Sequence, residues 1–280
     1  MILFGKSTRL SFWLEQDEAA RALSCDPFDR RALRADLDQL RPGGDTTLVL
    51  DAAGTRLRRT EDALKAAQEF TVWAEERAVR PRVVLVSCDS VYGVLKPGVA
   101  LREQDAAPTD EASEALLAVE RGLVDLARRR GFGLAIARLF EVIDPREPSP
   151  RLLDLAGRVQ AARMKGIPEL GATRDYIDAR DAAKALLALA GLVDSPTVNV
   201  CSGRPISGHD LVRAMVRLIR PVDEARLMAS VEAQTAEEAG AAQRPIPWIV
   251  GNPAHFTAMV GFAASIRTFE QTLKEACCLL

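Results

Sequence analysis

Arg82-Val83-Val84-Leu85-Val86-Ser87-Cys88-Asp89-Ser90-Val91-Tyr92-Gly93 passes from four consecutive aliphatic residues into a polar turn, with Pro81 before it. An unbroken apolar run of this kind suits a strand buried on both faces of a parallel sheet. In open α/β sheets, ligands bind just beyond the carboxyl ends of the strands. Ser87, Cys88 and Asp89 fall at that end, either as part of a site or as a plain exit turn.

Working outward, Ile2-Leu3-Phe4-Gly5 reads as a first strand entering a turn. Gly5-Lys6-Ser7-Thr8 matches the end of a phosphate-binding P-loop but lacks the earlier glycine that motif requires. Residues 8–22 read as one helix, with Leu10, Trp13 and Leu14 on a face. Asp26-Pro27 is expected to cap a second helix carrying Phe28, Leu33, Leu37 and Leu40. Residues 46–50 form a strand running into Asp51-Ala52-Ala53-Gly54, and 60–79 a long helix. Residues 110–130 are helical, and Phe132 to Leu139 is another buried strand. Strands alternating with helices predict a Rossmann-like, doubly wound parallel sheet. Pro145, Pro148 and Pro150 mark a boundary, giving a first domain over 1–145 and a smaller α/β substrate lobe over 146–280. Some segments of the lobe are expected to return to the first domain. Within it, residues 151–164, 180–192, 208–219 and 266–278 are helical and 197–200 a strand; 222–242 is acidic, alanine-rich and helical.

The 280 residues carry a net charge of −2, which gives no electrostatic footprint for nucleic acid or an anionic membrane. No apolar run reaches the roughly 20 residues of a membrane span, and no signal peptide is expected. Five cysteines without a Cys-x-x-Cys pair point to free thiols in the cytoplasm. Cys277-Cys278-Leu279-Leu280 matches a prenylation box by letter, though a helix end with small buried thiols is favoured. Two distant histidines, His209 and His255, argue against a histidine-based metal site.

Five blocks in order resemble the extended short-chain dehydrogenases/reductases, the NAD-dependent nucleotide-sugar epimerases, dehydratases and reductases. Val86 to Gly93 resembles their Val-Ser-Ser-x-x-Val-Tyr-Gly block, and Arg138 to Pro145 their Arg-Pro-Phe-Asn-Val-Tyr-Gly-Pro block. Arg174 to Ala183 resembles Arg-Asp-Phe-Val-x-Val-x-Asp-Val-Ala; Val198 to Gly203 resembles the following Tyr-Asn-Val-Gly-Ser-Gly turn, and Ile206-Ser207 its helix start. The Asp26-Pro27 segment is most like dTDP-4-dehydrorhamnose reductases. The resemblance implies NAD(P), a nucleotide-sugar ligand, and a dimer built on two helices. It places cofactor contacts at Gly5, Ser7, Ala52 and Ala53, and substrate contacts at Tyr92 and Arg174.

The residues depart from that pattern where its chemistry resides. The glycine-rich turn of the family reads Gly5-Lys6-Ser7-Thr8-Arg9-Leu10-Ser11, with side chains at Thr8 and Ser11 where room is needed for pyrophosphate. Against the family pattern, about ten residues, including most of the second strand, are expected to be deleted between Leu14 and Ser24. The Ser/Thr, Tyr and Lys positions read Cys88, Ala112 and Leu116. In the family, the lysine lowers the tyrosine pKa so that a phenolate can shuttle the proton accompanying hydride transfer. Remaining candidates are Cys88, Asp89, Glu111 and Glu141. Cys88 needs a nearby base or cation to act as a nucleophile, and otherwise is a small core hydrophobe. Glu141 is either solvated or paired with Arg174. Arg174 either touches a ligand diphosphate or bridges to Asp175 or Asp178. Asp181 is expected to order its turn and cap the following helix.

The expectation is therefore a degenerate family member that binds a nucleotide sugar without ordinary hydride chemistry, as a scaffold, pseudoenzyme or partner subunit. The alternatives are an enzyme working through Cys88, Asp89 or Glu141, or an NAD(P)-dependent epimerase or reductase with compensating residues. Surplus apolar residues at Leu64, Phe70, Trp73, Leu117 and Leu123 suggest a second buried face. That face would serve a homodimer, or a heterodimer with an active relative.

Overall fold

A computed structural model describes residues 1–5, 10–41, 44–53, 60–93, 97–167, 170–192, 196–241 and 248–278. The first half runs β1 (Ile2–Gly5), α1 (Ser11–Leu14), β2 (Ala20–Leu23), α2 (Arg30–Asp38), β3 (Asp45–Asp51), α3 (Thr60–Glu75), β4 (Arg80–Cys88), α4 (Glu111–Arg130) and β5 (Gly133–Leu139). Then come β6 (Glu141–Ile143), α5 (Pro150–Gln160), β7 (Thr173–Asp178), α6 (Ala179–Ala190), β8 (Thr197–Val200), β9 (Pro205–Ser207) and α7 (Gly208–Ile219). The chain continues through α8 (Glu224–Ala241), β10 (Trp248–Ile249), α9 (Ala254–Val260) and α10 (Phe269–Cys277).

Six parallel strands form the main sheet in the order β2-β1-β3-β4-β5-β8. Successive side chains on a strand face opposite ways. Accordingly Leu48, Leu50, Val83 and Leu85 enter the core beneath α2, α3 and α4, while Val49, Val84 and Val86 enter the core beneath α6. Burial on both faces is what the aliphatic run at 83–86 predicts. A second, four-stranded sheet sets β7 between β6 and β10, with β9 antiparallel to β7. Its core joins α5, α7, α8 and α10.

The expected helix over 8–22 is replaced by the single turn of α1 and by β2. Leu10 and Leu14 are buried, but Gln16-Asp17-Glu18 offers nothing apolar to extend the helix. Ala20 to Leu23 instead pairs in register with Ile2 to Gly5. The second strand is thus present. Among the described residues one β-α unit is missing, because a dinucleotide-binding sheet of order 3-2-1-4-5-6 has a third strand on this side.

Asp29, not Asp26, caps α2, accepting from the amides of Arg31 at 3.0 Å and Ala32 at 3.1 Å. The α3 and α5 helices end earlier than their apolar patterns suggest, at Glu75 and Gln160. Left-handed backbone at Ala78 (φ 52°) and Ala162 (φ 54°) follows each.

The argument from surplus apolar residues fails. Phe70, Trp73, Leu117 and Leu123 are all buried within the chain, because α2 packs on α3 and α3 on α4. Leu64 is half-buried against Gly122 of α4. No helix among the described residues is long and apolar enough to cross a membrane.

Candidate functional site

β3, β4 and β5 end together at one edge of the main sheet, and the β6–α5 connection crosses in front of them. They enclose a cleft of about 900 Å³. Its sheet-side wall includes Ala53, Cys88, Asp89 and Phe140; Glu141 begins the second sheet, and Ser11 and Phe12 come from α1. Residues 144 and 146–150 complete the far wall. The structure therefore brings Cys88, Asp89, Glu141 and Ala53 into one cleft.

Cys88 is partly buried, with its Sγ 3.1 Å from Ser90 Oγ. The turn that follows depends on Gly93: its φ is 67°, and a Cβ there would lie 2.3 Å from the Ala107 carbonyl oxygen. Glu141 pairs in register with Tyr176 on β7 and makes no ion pair among the described residues. Arg174 lies deeper in the second sheet, opposite Ile206 and Ile249. Neither expected acidic partner serves it. Asp175 accepts from Ser202 and Gly203, and Asp178 pairs with Arg180 at 2.6 Å.

Tyr92 is fully buried, not cleft-lining. Its hydroxyl donates to Asn199 Oδ1 and accepts from Arg138 Nη1 at 3.1 Å. Burial pushes the phenol's pKa up, against the pull of Arg138. Arg138 also grips Glu120, whose Oε1 accepts from Ser87 Oγ at 2.6 Å. This network fixes the end of β4, one residue before Cys88.

Ala112 and Leu116 separate. Ala112 is exposed, whereas Leu116 is 5 % exposed in the core against which Cys88 packs. Of the two positions, only Leu116 therefore packs in the core beside Cys88. Glu111 is exposed at the start of α4 and does not line the cleft. Asp178, accepting from the Arg180 amide, caps α6 in place of Asp181. Asp181 instead holds the amides of Ile266 and Arg267, at 2.8 and 2.7 Å.

Around the expected cofactor turn, Gly5 is the buried end of β1, while Lys6, Ser7, Thr8 and Arg9 lie outside the described residues. The Ala52 and Ala53 amides both donate to the Val86 carbonyl. At the end of β2, Asp36 accepts from the Ser24 amide and hydroxyl and from the Cys25 amide. Burial opposes ionisation of Asp36, but these hydrogen bonds hold its carboxyl below the usual range. No group of three or more potential metal ligands occurs among the described residues.

Phe12, Asp144, Arg146 and Glu147 are cleft residues that sequence reasoning missed. Three prolines made 145–150 read as a boundary, yet prolines also stiffen a cleft wall.

A family model for the NAD dependent epimerase/dehydratase family matches residues 15–201. No curated protein matches the sequence. Among solved structures, Thermus thermophilus UDP-glucose 4-epimerase in complex with NAD is 15% identical with a TM-score of 0.72, covering 99% of this chain and 97% of that one. The Thermotoga maritima UDP-glucose 4-epimerase with UDP-glucose is 14% identical, with the same TM-score and the same coverage of 99% and 97%. The Bacillus anthracis dTDP-glucose 4,6-dehydratase in complex with NAD is 12% identical, with TM-score 0.72 and coverage of 99% and 95%. At these identities the likeness is one of fold. The family match spans most of the main sheet and the cleft-forming strand ends, and on it the chain belongs to the NAD dependent epimerase/dehydratase family.

Proposed function

We propose that this protein binds a nucleotide sugar in the cleft and does not carry out tyrosine–lysine-assisted hydride transfer. The observation that carries the reading is the chemistry of the cleft wall. Its proton-exchanging groups are Cys88 and the carboxylates of Asp89, Glu141, Asp144 and Glu147; among the described lining residues there is no tyrosine, lysine or histidine. A volume of 900 Å³ suits a ligand of nucleotide-sugar size. A related fold, the Thermotoga epimerase, was solved with UDP-glucose.

NAD(P) fits the described residues poorly. Pyrophosphate binding draws on backbone amides and the dipole of a helix following β1, and α1 has only four residues. At the end of β2 the Ser24 and Cys25 donors are already committed to Asp36, and Asp26 accepts from the Phe28 amide. Arg174 remains a candidate contact on the second sheet. A cytoplasmic location agrees with the five free cysteines.

Calorimetric titration with UDP-glucose, NAD(H) and NADP(H) tests this reading. Saturable UDP-glucose binding is expected, and a dinucleotide Kd tighter than about 10 μM, roughly −7 kcal/mol, would contradict it.

A second reading is favoured by Glu141, a cleft carboxylate with no ion pair among the described residues. It would make the protein an enzyme of nucleotide-sugar metabolism using Glu141 or Asp89 as a general base. Conversion of the bound sugar that is lost in Glu141→Gln would support this over simple binding.

A further inference from the structure

We infer that Arg146 is the anion-gripping residue of the cleft and that Phe12 holds it in position for a diphosphate. The inference rests on the nucleotide-sugar reading and names the residue that would meet that ligand's charge.

The Arg146 guanidinium lies over the Phe12 ring, 3.4 Å from its centroid. Its backbone is fixed as well. Asp144 Oδ1 accepts from the Arg146 amide at 2.9 Å, and Asp144 Oδ2 accepts from Trp13 Nε1 at 3.1 Å. One carboxylate thus ties the 144–150 segment to α1 beside the stacked pair. Trp13 is itself covered by the Arg180 guanidinium, 5.6 Å from its ring centroid.

Stacking occupies the face of the Arg146 guanidinium and leaves its edge. That edge carries five N–H donors in a rigid plane. Among the described residues, none of them donates to a protein acceptor and no carboxylate pairs with the group. A planar fork with its face already held matches the geometry of a phosphate oxygen pair.

The remaining charge in the cleft sharpens the placement. Arg146 is the cationic residue among the described lining residues; Asp144 and Glu147 share its segment, with Asp144 already engaged by the Arg146 amide and Trp13, while Asp89 and Glu141 belong to the strand-end wall. A diphosphate is repelled from the acidic wall and attracted to Arg146. The acidic wall accepts hydrogen bonds from neutral sugar hydroxyls. Arg146 thus offers the anion contact and the strand-end carboxylates Asp89 and Glu141 the polyol contacts, the two kinds of group found within a nucleotide sugar. Phe12 acts as a positioning residue for Arg146, since it is the ring that sets the guanidinium plane.

Calorimetry on the full chain, with inorganic pyrophosphate, UDP-glucose and NADPH as separate probes, tests this. Arg146→Gln should weaken pyrophosphate and UDP-glucose by about tenfold or more. Arg146→Lys should lose nearly as much, because a point charge neither stacks nor forks. Phe12→Tyr should retain wild-type affinity, and Phe12→Leu should lose several-fold. Phe12 is 36 % exposed and Arg146 is exposed, so all four variants should melt close to wild type.

Equal UDP-glucose affinity in wild type and Arg146→Gln would overturn the assignment while leaving the nucleotide-sugar reading intact. Identical behaviour of Phe12→Leu and Phe12→Tyr would overturn the role given to Phe12. Arg146-dependent pyrophosphate binding without UDP-glucose binding would uphold the anion grip and refute the sugar reading. Arg146-dependent NADPH binding in place of UDP-glucose would uphold the grip with a dinucleotide as carrier. Wild-type protein that bound none of the three probes would refute both.

Discussion

Arg138 Nη2 and Glu120 Oε2 meet at 2.6 Å beneath the end of β4, with side chains 5 % and 4 % exposed. The pair is shared with Ser87, Tyr92 and the Glu103 carbonyl, so its polar groups are satisfied inside the core. Removing one partner of such a pair leaves an uncompensated buried charge, which costs about 3–5 kcal/mol. Glu120→Ala should therefore lower the melting temperature by several degrees or prevent folding. Glu120→Gln keeps an acceptor for Ser87 and should cost less. Thermal and urea melts of both variants measure the difference; equal stability of Glu120→Ala and wild type would contradict the role given to the pair.

Asp175 predicts a pH dependence of opposite sign to most carboxylates. It is 1 % exposed, and burial raises its pKa from 3.8 to about 6, despite hydrogen bonds from Ser202, Gly203 and Gly251. The folded state then binds the proton more tightly than the unfolded one. The contribution is fully present below 3.8 and is lost as pH rises through about 6. Its full size is at most about 3 kcal/mol. Asp36, Glu69 and Asp178 are held below their ordinary values and lose stability only at more acid pH. Between pH 7 and 5, wild type should gain stability relative to Asp175→Asn, whatever the cost of that substitution at pH 7. Chemical denaturation at the two pH values checks it, and parallel behaviour of the two proteins would contradict it.

Gly251 sits directly behind the cleft wall. A Cβ at this position would lie 2.5 Å from Cys201 Sγ and 2.7 Å from the Phe140 ring, and Phe140 lines the cleft. Gly251→Ala should cost about 1–3 kcal/mol as an overpacked core site. Because Phe140 must move, ligand affinity should fall as well. A melt alongside UDP-glucose titration measures both, and unchanged values would show that the wall yields freely.

The family's proton relay should not be restored by substitution. Ala112 is exposed and should accept tyrosine, whereas Leu116 is buried and Leu116→Lys places an ammonium in the core. The double substitution should be destabilised by several kcal/mol and fail to oxidise NAD(P)H with nucleotide 4-keto sugars. Robust turnover would show that the cofactor half-site is intact.

Much of the fold was legible because the β4 run at 83–86 has one physical solution, burial on both faces, and because five family blocks occur in order. The β2 strand was not, because Leu10, Trp13 and Leu14 have genuine helical spacing and four residues of strand carry little pattern of their own. Its identity comes from the ladder with β1, a non-local interaction. Cys88, Asp89 and Glu141 could be placed at strand ends from sequence. Arg146 and Phe12 are far apart in the chain, and their stack exists only once the 144–150 segment crosses to α1. The apolar surplus on α3 and α4 misled for a related reason: counting apolar residues on those two helices cannot reveal that α2 covers one of them.

The central claim is binding without hydride chemistry, and proton NMR of UDP-glucose mixed with the protein and NAD addresses both parts at once. The account predicts saturation transfer from protein to the nucleotide and sugar protons, with the sugar signals unchanged over time. Appearance of an epimerised or keto sugar, or the absence of any transfer, would contradict it.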